Sequence, residues 1–154
     1  MMNYRLYILG VLLAILSFIS CKDNYYIEND LHGMWQITSI QKSSTGEVVK
    51  PKGTLYYLFQ RSMVSLCYNY LNVPERIDCY IAHFDFIESD SIRMGQFRVS
   101  TTGEGDNVNK EEIVGVESLY KFGIHQDYTI FHMGLSKQSL ILTSDSARIV
   151  LRKY

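Results

Sequence analysis

The sequence predicts a mainly β protein, an antiparallel up-and-down barrel of about eight strands with one late α-helix. Three observations lead there. Apolar and polar residues alternate in short runs from Met34 to Lys153. Clusters of Ser, Thr, Gly, Asn, Asp and Pro separate those runs. The period turns helical once, after Asn109. Alternation with period two marks a strand with one buried face, whereas spacing of three and four marks a helix. Closing such a sheet removes its edges, and eight strands enclose either packed side chains or one small ligand.

The first strand is Met34 to Ile40, with the single Trp, Trp35, on the same face as Ile37. Ser43-Ser44-Thr45-Gly46 is turn chemistry, and Glu47 to Val49 is a short return strand ended by Pro51 and Gly53. Thr54 to Phe59 is β-branched and aromatic, a composition that suits a pleated surface. Met63 to Tyr70 places Val64, Leu66, Tyr68 and Tyr70 on one face and Ser65, Cys67 and Asn69 on the other. Leu71 to Arg76, with Asn72 and Pro74, is a loop. Asp78 to Phe86 sets Tyr80, Ala82, Phe84 and Phe86 against Cys79, Ile81, His83 and Asp85. After the turn at Ser89-Asp90, Ile92 to Val99 is a further strand, closed by the loop Thr101 to Asp106.

Asn109 and Glu112 then have the spacing of a capping box, in which each side chain accepts from an exposed backbone N–H. Ile113, Val116 and Tyr120 follow at helical spacing, with Leu119 beside them, and Gly123, after Phe122, suits the helix stop. Tyr128 to Leu135, Ser139 to Thr143 and Ala147 to Lys153 finish the chain as a meander.

Ahead of this domain, residues 31–154, lies a different kind of segment. Arg5 is the sole charge before Lys22, and Leu6 to Ile19 is almost wholly apolar. That run is too short for the roughly 20 residues a membrane-spanning helix needs. It fits a secretory signal over residues 1–20, with Arg5 as its basic start. Phe18-Ile19-Ser20-Cys21 resembles the lipobox of bacterial lipoproteins, departing from it at Phe18, where Leu is usual. In that family the Cys is lipidated and becomes the mature N-terminus, so the resemblance implies lipidation at Cys21 and a membrane held through acyl chains. The alternative is an ordinary signal peptide with an incidental Cys. Several acyl chains give a lasting anchor, since each buried methylene contributes about 0.8 kcal/mol. Lys22-Asp23-Asn24 is similar to the short charged export signal of some Gram-negative surface lipoproteins, which implies the outer membrane and surface exposure. Residues 21–30 then form a tether, with Tyr25 and Tyr26 either within it or packed on the barrel rim. Without Arg5 the chain carries a net charge of −2, which excludes the basic footprint of a nucleic-acid binder.

Gly33-Met34-Trp35 is similar to the G-x-W that lipocalins carry on their first strand. The late helix and a basic residue on the last strand, Arg148 or Arg152, also resemble that family. There such an Arg packs across the Trp and closes the base of the barrel, which implies a structural role for Gly33, Trp35 and Arg152. The chain resembles more closely the lipocalin-like lipoproteins of Gram-negative bacteria, in Leu31-His32-Gly33-Met34-Trp35 and in the run from Ile141-Leu142-Thr143 to Arg152-Lys153-Tyr154. The resemblance implies a shape more than an activity.

Candidate chemistry is sparse. A hairpin centred on Val73 sets Cys67 opposite Cys79, with both thiols on one face. An oxidising envelope then permits a disulfide; the alternative is two small core residues. His83 and Asp85 share a strand face, but two ligands are too few for a metal, and neither a H-E-x-x-H nor a C-x-x-C accompanies them. His32, His125 and His132 are scattered, and no G-x-S-x-G supports a serine nucleophile. No cofactor, metal or catalytic residue is expected. The strongest compositional signal is twelve Tyr and seven Phe. Trp35, Tyr57, Tyr68, Tyr80 and Phe84 either line a ligand pocket of mixed character or fill a β-rich core. The expected function is binding of a small apolar or amphipathic ligand by an envelope lipoprotein. The alternative is an accessory module that docks another envelope protein through its loops.

Overall fold

The computed structural model describes residues 30–69, 77–100 and 113–154. Nine strands form one antiparallel sheet: β1 (Gly33–Lys42), β2 (Val48–Val49), β3 (Thr54–Gln60), β4 (Met63–Asn69), β5 (Ile77–Glu88), β6 (Ser91–Ser100), β7 (Tyr128–Leu135), β8 (Ser139–Thr143) and β9 (Ala147–Lys153). Consecutive strands pair from β3 through β9, β1 pairs with β3, and β9 returns to β1. This closes an eight-stranded barrel, with β2 a short flap on β1. The ladder closes and its core forms within residues 30–154, so this part of the chain holds the sheet and core that a domain needs to fold alone.

Alternation sets what faces inward. Leu55, Tyr57 and Phe59 of β3, Val64 and Leu66 of β4, and Ala82 and Phe84 of β5 are buried. So are Ala147, Ile149 and Leu151 of β9. The two-residue β3–β4 turn begins at Arg61, held at φ 53°. Its backbone N–H donates to His32 Nε2 at 2.9 Å. At the same end, the base, Trp35 is fully buried and donates from Nε1 to the Leu31 carbonyl at 2.8 Å. Gly33 carries φ 122°, a backbone conformation that L side chains rarely adopt, where the chain swings from residues 30–32 into β1.

The helix is shorter than the capping pattern predicts. Residues 109–112 lie outside the described residues, and Ile113 is extended, bridging Arg98 of β6. α1 spans Val116–Leu119 and runs into a 3-10 turn at Tyr120–Phe122, ended by Gly123 at φ 83°. Its buried face also differs from the expected one. Ile113 and Tyr120 are exposed; Leu119 is buried as expected, and Val114, Phe122 and Ile124 enter the core with it. An extended start puts Ile113 out of phase with the helical turn that follows, so residues after it carry the apolar contact.

Residues 113–124 thereby plug the end opposite the base. Val114 N–H donates to the Phe97 carbonyl at 2.7 Å. The Tyr57 hydroxyl donates to the Phe122 carbonyl at 2.9 Å. The Phe122 ring meets Tyr57 and Tyr80 edge to face, at 6.5 and 6.2 Å. Phe59, Phe97 and Phe131 are below two percent exposed, as are Trp35, Tyr57 and Phe122, so aromatic side chains fill the interior.

Candidate functional site

The expected pocket residues fall in two groups. Trp35, Tyr57 and Phe84 belong to the packed core, where Phe59 touches Tyr57 at 6.0 Å and Phe84 at 5.3 Å. Tyr68 and Tyr80 are half-buried beneath the plug, with Lys121 Nζ 4.5 and 5.7 Å above their rings. They act as packing surface here.

The cation across the Trp is not Arg152. The register pairs Trp35 with Lys153 and Gln36 with Arg152. Period two puts Lys153 on the inward face with Leu151, so its stem reaches along the core and Nζ sits 5.0 Å above the indole. Lys153 Nζ also donates to the Asp30 carbonyl at 3.3 Å. Arg152 points outward and donates to Gln36 Oε1 at 2.8 Å. Arg148 shares that outer face and is exposed.

Cys67 and Cys79 face each other across β4 and β5 and are joined by a disulfide, with Cα atoms 4.2 Å apart. It lies on the outer face and staples two neighbouring strands of the wall. Cys21 and Tyr70 lie outside the described residues.

The remaining candidates, His83 and Asp85, lead to the outer wall. Between Ile81 and His83 of β5 the register shifts, because Gln96 and Phe97 of β6 stand opposite the single residue Ala82. This is a β-bulge, which bends its strand and re-aims side chains. Gln96 adopts φ 53°, unusual for a side chain other than Gly, Asn or Asp. Gly95 cannot carry a Cβ, which would clash with the Asp127 carbonyl oxygen. That same oxygen accepts from Gln96 N–H at 3.1 Å. β6 also changes partner here: its ladder with β7 ends at Gly95 and Tyr128, and the next pairing is Arg98 with Ile113.

The interrupted wall leaves a groove of about 560 Å³. Met63, Ile81 and Tyr128 give it apolar surface. His83, Asp85, Arg93, Gln96 and Arg98 give it polar groups. Arg93 Nη2 and Asp85 Oδ2 form an exposed ion pair at 3.3 Å. A second depression, of about 900 Å³, adjoins it through Met63 and Ile81 and runs toward Arg61 and His32 at the base. Among the described residues no group of three or more His, Cys, Asp or Glu gathers in a way that could hold a metal. Sequence reasoning noticed His83 and Asp85 but not the groove. The bulge that makes it has no local signal beyond Gly95 standing inside an alternating strand.

Known proteins share this architecture. The family described as Lipocalin-like domain matches the chain over residues 14–154. A lipocalin-like protein from Bacteroides uniformis is 20% identical, with a TM-score of 0.57 over 81% of this chain and 99% of that one. An uncharacterized protein from Bacteroides eggerthii is also 20% identical, with a TM-score of 0.59 over 80% of this chain and 98% of that one. No curated protein matches.

Proposed function

Because this chain belongs to the lipocalin-like domain family, we propose that it is a cell-envelope lipoprotein that binds a small amphipathic ligand, and that it does so in the groove on the outer wall. The observation that carries this reading is the groove at the β6 bulge. Its volume lies within the range of roughly 300–1,000 Å³ usual for ligand pockets. It joins apolar surface (Met63, Ile81, Tyr128) to convergent polar groups (His83, Gln96, Arg98), as a ligand with two kinds of surface requires. The interior supports no such role while the plug keeps Phe122 and its neighbours in place. The positive φ at Gln96 adds to the argument, since strained conformations of order 1–3 kcal/mol persist where surrounding structure enforces them and cluster at binding sites.

The lipid-anchored part of the reading rests on the apolar run Leu6 to Ile19 and the Phe18-Ile19-Ser20-Cys21 motif. Acyl chains on Cys21 would hold the barrel at a membrane surface, with residues 22–30 as tether. Binding is the whole of the proposed activity; no catalytic step is assigned.

Native mass spectrometry of residues 22–154 expressed in a bacterial envelope tests the ligand. A reproducible adduct, lost on denaturation and absent from a groove-filling Gln96→Trp variant, is expected. A bare protein mass from several preparations, or an adduct unaffected by that variant, would remove the groove from consideration. Labelled palmitate incorporated by the full chain and lost in Cys21→Ser tests the anchor.

A further inference from the structure

We infer that the outer-wall site takes a single extended alkyl chain with a polar head, rather than a compact molecule. This rests on the groove proposed above and names the class of ligand it takes. The groove and the depression beside it follow one cross-strand row. Gln60 pairs with Met63, Met63 with His83, His83 with Gly95, and Gly95 with Tyr128. Each member of that row lines one of the two depressions, and Met63 lines both. Residues directly opposite one another on paired strands share a face of the sheet, so the row crosses the outer wall from β3 to β7. Its four steps of about 4.8 Å make it about 19 Å long. A zigzag of carbon–carbon bonds near 1.5 Å advances about 1.25 Å per atom, so the row matches a chain of about fifteen atoms. Gly95 puts no side chain across the row, and the Asp127 carbonyl leaves no room for one. Ile81, half-buried, lies alongside and also lines both depressions. Met63 and Ile81 therefore keep a chain in apolar contact where the depressions meet, a junction that a compact ligand seated in either one would not use. The head belongs at the β6 end, where His83 and Gln96 supply hydrogen-bonding groups.

The test uses one uncharged head on tails of different length: hexyl, octyl, decyl and dodecyl maltoside, each below its micelle concentration. Residues 22–154 are titrated and two sets of amides are followed by NMR. His83, Gly95 and Tyr128 report the groove; His32, Arg61 and Ser65 report the adjoining depression. Full burial of a methylene tightens binding about fourfold, and a groove open on one side is expected to give about twofold per methylene. Hexyl maltoside should shift the groove set alone, and dodecyl maltoside should shift both sets with one dissociation constant. Ser65→Trp, which fills the adjoining depression, should abolish the advantage of dodecyl over hexyl. Equal affinity of all four probes, with shifts confined to the groove set, would overturn the extended chain and leave the groove standing. A gain with length whose shifts never reach the second set would do the same. No shift in either set with any probe, or shifts gathered elsewhere on the barrel, would overturn both.

Discussion

Replacing Phe122 with Ala should both destabilise the protein and hollow it. Phe122 is fully buried at the end of the plug, and its ring meets Tyr57 and Tyr80 edge to face. Removing a buried Phe ring costs about 3–5 kcal/mol, as lost transfer free energy plus the cavity left behind. Each edge contact accounts for about 0.5–1.5 kcal/mol of interaction beyond area. The Phe122 backbone carbonyl stays and keeps accepting from the Tyr57 hydroxyl, so the loss reports the ring. Urea unfolding followed by the fluorescence of the buried Trp35 measures it. Total stability of a domain is about 5–15 kcal/mol, so Phe122→Leu, expected to lose about 1–2 kcal/mol, serves if the Ala variant unfolds. The Ala variant should also take up a small arene such as benzene, which the native protein excludes. A loss below about 1 kcal/mol for Phe122→Ala would show that the plug does not complete the core and would refute this reasoning.

Three further perturbations follow from the same structure. Cys67→Ser/Cys79→Ser should cost about 3 kcal/mol in the chain-entropy account of a 12-residue separation, seen as a lower urea midpoint than that of the oxidised parent; equal midpoints would show that the bridge contributes nothing. Burial pushes the Tyr57 hydroxyl well above its ordinary value of 10.0, so the neutral form belongs to the folded state. Its contribution is full below pH 10 and falls by about 1.4 kcal/mol per pH unit above it, a slope that Tyr57→Phe should lack in alkaline urea titrations. Gly95→Ala drives a Cβ into the Asp127 carbonyl and should cost about 1–3 kcal/mol while disturbing the Gln96 and Tyr128 amides, with a neutral substitution arguing against the bulge.

Much of this fold is legible in the sequence because period two and turn chemistry act locally. The alternation in Met63–Asn69 and in the β5 segment identifies the buried Val64, Leu66, Ala82 and Phe84. Centring their hairpin on Val73 also gives the register that sets Cys67 opposite Cys79. What the sequence conceals is non-local. Twelve Tyr and seven Phe suit a lined cavity as well as a filled one, and only the entry of Leu119, Phe122 and Ile124 decides for filling. The helix begins late because Ile113 pairs with Arg98, a partner distant in sequence. Lys153 rather than Arg152 covers Trp35, although the phase of Ala147, Ile149 and Leu151 in the predicted strand continues to Lys153. The groove depends on a bulge beside the close approach of the Asp127 carbonyl to Gly95, across a strand pairing no local pattern encodes.

Small barrels of this architecture can bind inside or on their walls, and these residues favour the wall. Among the described residues seven aromatic side chains pack the interior, while the β6 bulge leaves a charged and apolar groove facing outward. The most direct test is to map, by amide chemical shift, where a ligand recovered from envelope-expressed protein binds residues 22–154. Shifts gathered on His83, Gly95, Gln96 and Tyr128 are predicted. Shifts gathered on Trp35, Tyr57, Phe59 and Phe122 would place the ligand inside the barrel and contradict the outer-wall site.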